Sequence, residues 1–145
     1  MAVKAQPDRY HTIVPYLVVK DAAKCIDFVK AMLDAREEGG RMQMPDGRIG
    51  HCELRIGDSI LMMAGANDQF PPRTGMIHIY VPDVDAAYRR GLAAGGTSAR
   101  EPANQFYGDR MAGIEAFGTY WSLATHVEDV PEAEMMRRMK AQRDG

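Results

Sequence analysis

Long apolar runs, cysteine and any excess of one charge are all scarce in this chain, and each shortage removes a class of function. Apolar stretches such as Leu17-Val18-Val19 last only a few residues, far below the roughly 20 that a membrane helix needs. The polar N-terminus also lacks the basic-then-apolar order of a secretory signal. A soluble, cytoplasmic protein with no membrane partner is the expectation. Basic residues number 18 and acidic residues 20, for a net charge of −2. Neither sign is gathered into a run, so there is no electrostatic footprint for nucleic acid, and a small-molecule or protein partner is left. The two cysteines, Cys25 and Cys52, lack the paired spacing of a zinc knuckle and read as reduced core residues. No glycine-rich strand-to-helix loop of the kind that cradles a nucleoside cofactor occurs, so no cofactor is expected. With 145 residues the chain is long enough to bury a core without disulfides or a structural metal.

What is present is a repeat. Pro15-Tyr16-Leu17-Val18-Val19-Lys20-Asp21 leads into a helical pattern, and Ile77-His78-Ile79-Tyr80-Val81-Pro82-Asp83 does the same. Each reads as a strand, an Asp N-cap and a helix. The first helix carries Ile26, Val29 and Leu33, with Cys25 and Met32 beside them, the stripe of a helix buried on one face. The second carries Val84, Ala87, Tyr88 and Leu92 on one face and ends at Gly95-Gly96; Asp85, Arg89 and Arg90 read as its solvated side.

After each helix come three strand-like pieces. The first half gives Glu37 to Met44, Gly50 to Ile56 and Ser59 to Met63; the second gives Thr97 to Pro102, Asp109 to Ala116 and Thr119 to Thr125. Gly57-Asp58 is a tight-hairpin signal, with Phe117-Gly118-Thr119 as its counterpart. Ala64 to Gly75 has linker composition. Past Glu128, Pro131 suits a first helical turn, and Met135, Met136 and Met139 would give a terminal helix at 131–142 something to bury. The fold class is therefore α+β: one domain over 1–145, built of two tandem βαβββ modules at about 10–64 and 75–127. Each half-sheet needs a partner to bury its faces.

Two such units in tandem, with Asp-capped helices and hairpin glycines at matching places, resemble the vicinal oxygen chelate superfamily of glyoxalases, bleomycin-binding proteins and extradiol dioxygenases. Asp46-Gly47-Arg48-Ile49-Gly50-His51-Cys52-Glu53-Leu54, Ile56-Gly57-Asp58-Ser59, Gln105-Phe106-Tyr107-Gly108-Asp109-Arg110 and Tyr120-Trp121-Ser122-Leu123-Ala124-Thr125 look like its PhnB-type glyoxalase-like subgroup. The chain departs from that pattern at Glu115-Ala116, where Asp-Pro is usual before Phe-Gly, and at Tyr107, where Trp is common. The resemblance implies a mixed sheet enclosing a cavity, completed by a second subunit in a homodimer.

It also implies where a metal would sit, since metal-using members take one ligand from the first and one from the last strand of each module. Matching Val19-Lys20-Asp21 to Val81-Pro82-Asp83, and Gly57 to Gly118, puts those positions at Val14, Met76, Leu61 and Ser122. None offers an anionic oxygen, thiolate or imidazole, and a slip of one residue supplies none either. The expectation is no metal.

Strand alternation sorts the side chains that would face the cavity. Cys52, Leu54 and Ile56 form the apolar row of their strand, leaving His51, Glu53 and Arg55 opposite. Met76, His78 and Tyr80 face the cavity from the fifth strand, Tyr120, Ser122 and Ala124 from the last, and Tyr107 and Arg110 from a turn. Trp121 falls on the core side, and His11 and His126 read as surface residues. Among the eleven methionines, Met63 and Met76 have pocket parity, and flexible thioethers suit varied apolar ligands. The candidate ligand-binding set is His51, Glu53, Met76, His78, Tyr80, Tyr107, Arg110, Tyr120 and Ser122. His51 and Glu53 are also the catalytic candidates: a His oriented by a carboxylate can act as a general base. Equally, Glu53 and Arg55 could be an ion pair on a wet sheet face with His51 beside them. Three function classes stand: a metal-independent small-molecule-binding protein; an enzyme of lyase, isomerase or dioxygenase type, either metal-free or with a relocated site built from residues such as His51, Glu53 and His78; and a pure interaction or regulatory module, which would have a shallow, collapsed cavity.

Overall fold

A computed structural model describes residues 2–145. The first module runs β1 (Tyr16–Val19), α1 (Ala22–Leu33), β2 (Arg36–Gln43), β3 (Ile49–Ile56) and β4 (Ser59–Gly65). The second runs β5 (Met76–Tyr80), α2 (Val84–Ala93), β6 (Thr97–Asn104), β7 (Asp109–Ala116) and β8 (Thr119–His126), and α3 (Glu132–Asp144) closes the chain. The sheets are ordered β1-β4-β3-β2 and β5-β8-β7-β6. β1 lies parallel to β4 and β5 parallel to β8, while the other pairs are antiparallel. A parallel pair requires a crossover, which the helix of each module begins. The α+β reading with tandem modules matches this architecture.

Local chemistry sets the boundaries. The Asp21 carboxylate accepts from the Lys24 amide at 3.3 Å and that of Asp83 from the Ala86 amide at 3.1 Å, each satisfying one orphan donor of a first turn. The two hairpins close between Ile56 and Ser59 and between Ala116 and Thr119, so Gly57-Asp58 corresponds to Phe117-Gly118 rather than glycine to glycine. Phe117 and Gly118 both have positive φ, 54° and 75°, the pattern of a type I′ turn. This shifts the fourth strand by one residue against the sequence alignment: the counterpart of Ser122 is Met62, not Leu61. The ladders agree, pairing Tyr16 with Met62 and His78 with Ser122. Leu61 is core instead. Ala64 and Gly65, expected in the linker, complete β4.

α1 and α2 pack on each other between the sheets and fuse the modules into one core. Every apolar residue assigned to the α1 stripe is buried. On α2 the buried positions are Val84, Ala87 and Gly91; Leu92, expected inside, is exposed. A helix-period stripe could not single out Gly91, which has no side chain to read. Its bare Cα leaves room for side chains of the neighbouring elements to pack against the helix. A Cβ there would lie 2.3 Å from Ile114 Cδ1 and 2.8 Å from Met32 Sδ. From α1, the Phe28 ring reaches across to Phe117 and Trp121 at 5.7 and 6.0 Å between centroids. Trp121 is fully buried, as its parity indicated, and donates its indole N–H to the Ala116 carbonyl at 3.2 Å.

Charged residues of α2 also do more than face water. Arg90 donates twice to the Met32 carbonyl, at 3.1 and 3.3 Å, satisfying an end group of α1, and Asp85 pairs with Arg110. α3 behaves differently from its expectation, because none of its residues is buried and Met136 is exposed. Arg138 holds it instead, bonding Glu128 at 2.7 and 2.9 Å and Glu134 at 2.9 Å.

Substituting Gly91 with Ala should destabilise the protein by about 1–3 kcal/mol through overpacking, although Ala is worth about 1 kcal/mol more than Gly as a helix former. Urea unfolding checks this; a stabilised variant would show that the helix contact yields.

Candidate functional site

With both helices on the shared core side, each sheet turns its other face away from them, and the alternating strands deliver the chemistry to these open faces. On β3, Cys52 and Leu54 are buried toward the helices, leaving His51, Glu53 and Arg55 on the open face. Glu53 is nonetheless only 8% exposed, because residues ahead of β1 cover it. The Tyr10 hydroxyl donates to its two oxygens at 2.7 and 2.9 Å, and Arg9 lies 2.8 Å from Oε1. His51 Nε2 is 2.9 Å from Glu53 Oε2, and Nδ1 is 2.9 Å from the Tyr16 hydroxyl. A carboxylate only accepts, so Nε2–H donates to Glu53 and Nδ1 accepts from Tyr16. The expected Glu53 partner, Arg55, instead bonds Glu38 on the neighbouring strand, because the β2–β3 register sets Glu38 opposite Glu53.

Burial pushes the Glu53 carboxyl up, but hydrogen bonds from His51 and Tyr10 and the charge of Arg9 outweigh it, so its pKa lies below the ordinary value. Glu53 is thus an ionised, buried carboxylate that fixes one tautomer of an adjacent imidazole. Neither cysteine shares such a setting. Burial first, and nearby negative groups after it, push the Cys25 thiol up to about 12, and burial is likewise the first cause for Cys52, at about 11.

The second open face is built on Asp109. Its side chain is buried, accepting from the Tyr80 hydroxyl at 2.7 Å and sitting 2.8 Å from His126 Nδ1, while His126 Nε2 reaches Asp129 at 2.7 Å. His126, expected to be a free surface residue, is exposed but held between two carboxylates. These raise its pKa, Asp129 most and Asp109 next. For Asp109 burial raises the pKa, but His126 and Tyr80 bring it below the ordinary value. His78 Nδ1 lies 2.8 Å from Ser122 Oγ and its ring meets that of Tyr80 edge-on at 5.2 Å. Tyr120 lies over Gly113, where a Cβ would come 2.2 Å from the phenol oxygen; only glycine lets the ring lie there.

Two pocket assignments move. Arg110 bonds Asp85 of α2 at 2.7 and 3.0 Å; it is the second residue of β7, and its parity turns it to the helix side. Met63 is fully buried, pairing with Cys52 and Leu17, whereas Met62 takes the open face. Tyr107 is half-buried, its hydroxyl on the Met111 thioether and its ring edge-on to Phe106. Met76, His78 and Tyr80 stand on β5 as alternation indicated. A cavity of about 460 Å³ opens where β5 passes the β3–β4 hairpin, with Ile13, Ile56, Ile60 and Ile77 on its walls beside His78 and Tyr80. Its volume and mostly apolar lining fall within the range of small-molecule sites. Nothing in the local pattern marks Tyr10, Tyr16 and Asp109, since their roles arise from partners 29 to 43 residues away.

Paired βαβββ modules around a shared helical core, with polar, aromatic open faces, define a class of α+β protein of the glyoxalase-like fold. The chain belongs to the Glyoxalase/Bleomycin resistance protein/Dioxygenase superfamily, whose family model matches residues 9–123. It is 37% identical over its full length to the uncharacterized proteins Mb0911c of Mycobacterium bovis and Rv0887c of Mycobacterium tuberculosis, covering 100% and 89% of them. Among solved structures it resembles TioX from Micromonospora sp. ML1, with TM-score 0.67 and 22% identity over 81% of this chain and 99% of that one. It also resembles TnmS3, an antibiotic binding protein from Streptomyces sp. CB03234, with TM-score 0.62 and 21% identity over 87% and 98%. These two likenesses establish the fold.

The metal set implied by family resemblance does not fit the residues present. With the register corrected, its four positions are Val14, Met62, Met76 and Ser122, which offer thioethers, a hydroxyl and an alkyl group rather than the anionic or imidazole donors a divalent cation takes. Among the described residues no group of three His, Cys, Asp or Glu side chains is placed to hold an ion.

The Asp109 cluster titrates measurably. The His126 pKa is raised, so its contribution to stability is full below its unfolded value of about 6.5 and lost as pH rises through the folded value. Asp109 is depressed, so its contribution is present above about 3.9 and lost as pH falls through its folded value. In an NMR titration His126 should have its midpoint above about 6.5, and Asp109→Asn should lower it; an unmoved midpoint would remove Asp109 as a cause.

Proposed function

We propose that this protein binds a small organic molecule without a metal ion, against the open faces of its sheets, and does so as a homodimer. One observation carries the reading: the positions at which a metal would be held bear Val14, Met62, Met76 and Ser122, while the same faces present hydroxyls and rings already fixed by buried carboxylates. The cavity beside β5 supplies apolar walls with His78 and Tyr80 in its lining, and Met76 and Tyr120, paired on the neighbouring ladder, would extend that surface. TnmS3 being an antibiotic binding protein of the same fold is in keeping with it.

The dimer rests on exposed apolar surface. Tyr16, Met76 and Tyr80 are 45, 66 and 62% exposed on the two open faces. β5 pairs only with β8 among the described strands, whereas the edge of β1 is closed by two backbone hydrogen bonds with Arg73. A second copy would cover this surface. No helix is long and apolar enough to cross a membrane; two buried, free thiols suit a reducing cytoplasm. The motifs from Asp46 to Ser59 and from Gln105 to Arg110 support placing this single-domain chain in the PhnB-type subgroup.

A second reading is favoured by the Tyr16–His51–Glu53 chain, which has the form of an oriented acid–base relay and would serve a metal-free lyase or isomerase. Loss of turnover by roughly 10²-fold or more in His51→Gln, with binding kept, would put it first.

The test is a thermal-shift screen of amphipathic and aromatic small molecules on protein purified without chelator. A ligand at about 100 times its Kd should add about 2.7 kcal/mol of stability, and the His78→Ala, Tyr80→Ala double variant should lose that shift. Elemental analysis showing near one divalent metal per chain would overturn the metal-free reading, and a monomer by sedimentation would overturn the dimer.

A further inference from the structure

Residues 2–9, ahead of β1, contain no helix or strand and bury no side chain. Several side-chain bonds in this region are local, from Lys4 to Asp8, from Gln6 to the Tyr10 carbonyl and from Thr12 to Gln6. What ties it to the sheet is one compact unit. The Arg9 guanidinium lies over the Tyr10 ring, 5.0 Å from its centroid. Arg9 Nη2 is 2.9 Å from Glu38 and 2.8 Å from Glu53, and the Tyr10 hydroxyl bonds both Glu53 oxygens. The receiving side is built quite differently. Glu38 and Glu53 stand opposite each other on paired strands, Glu38 fixed by Arg55 and Glu53 by His51. A rigid, two-carboxylate seat is thus filled by a flat cation stacked on a phenol, carried on loosely anchored peptide.

We infer that Arg9 and Tyr10 are an intramolecular occupant of a ligand site on the open face of the first module, and that the external ligand carries a planar amidinium or guanidinium beside an aromatic ring. The inference rests on reading the open faces as ligand walls and adds the module, the ligand chemistry and the competitor. Planar cations match carboxylates in a fork geometry that an ammonium does not reproduce. Displacing the strap by water alone uncovers Glu53 and gives up the charge-assisted bonds from Arg9 and Tyr10 for hydration. Displacement by a second planar cation exchanges one set of charge-assisted bonds for another. Because strap and ligand exclude each other, the apparent affinity is reduced by the fraction of molecules with the strap open.

Benzamidine, an amidinium on a phenyl ring, is the probe, and isothermal titration calorimetry of the full chain is the measurement, with thermal unfolding confirming that each variant is folded. The Arg9→Ala, Tyr10→Phe double variant should bind it about tenfold or more tighter than the wild type, as removal of a competitor requires, and Glu53→Gln in that background should abolish binding. If the double variant does not fold, Arg9→Ala alone, at an exposed side chain, should still tighten binding. Equal or weaker binding on strap removal, binding that survives Glu53→Gln, or no binding to any variant overturns the inference. Benzamidine binding with this pattern while no ligand answers to His78 and Tyr80 would leave the inference standing and move the ligand reading to the first module.

Discussion

Everything on the open faces depends on one contact, the approach of α1 to α2 at Gly91. There Met32 and Ile114 occupy the space a side chain would need, and Phe28 crosses between modules to meet Phe117 and Trp121. Helices of two short modules, neither able to bury its apolar stripe alone, cover each other. That choice turns both sheets so that their helix sides are dry and their other sides are free. The open faces are a by-product of where the core had to go.

The two free faces are organised alike from different residues. In each, a buried carboxylate collects a tyrosine hydroxyl and an imidazole: Glu53 with Tyr10 and His51, Asp109 with Tyr80 and His126. Burial alone would neutralise such groups, and the convergent donors are what keep them ionised. A carboxylate so held is fixed in place, and of its partners the strand-borne rings, His51, Tyr80 and His126, form part of the face while Tyr10 arrives from the segment ahead of β1. The arrangement presents hydroxyls, rings and thioethers on the two faces.

The helix boundaries and the βαβββ order were legible because they are local: Asp21 and Asp83 cap the residues next to them, and Gly57-Asp58 dictates its own turn. Strand parity was legible where apolar and polar residues alternate cleanly, as from His51 to Ile56 and from Met76 to Tyr80. It failed at Met63, where Leu61, Met62 and Met63 are all apolar and alternation carries no information. Arg110 was misplaced because it was counted with the preceding turn, although the strand read from Asp109 gives it the parity of Ala112 and Ile114 on the helix side. His126 looked free because Asp109, 17 residues away, is brought beside it only by β7–β8 pairing.

The sequence by itself determined the element order, the caps, the tight turns, the absence of metal donors at four positions and the likeness to a superfamily. These follow from neighbouring residues and from side-chain chemistry that folding does not alter. Tertiary structure alone decided that Gly91 packs against Met32 and Ile114, that Arg55 serves Glu38, that Tyr16 backs His51, and that Arg9 and Tyr10 occupy the seat at Glu53. Each of those depends on the register of a β-ladder or the packing of one layer on another, and a shift of a single residue would send every such side chain to the opposite face.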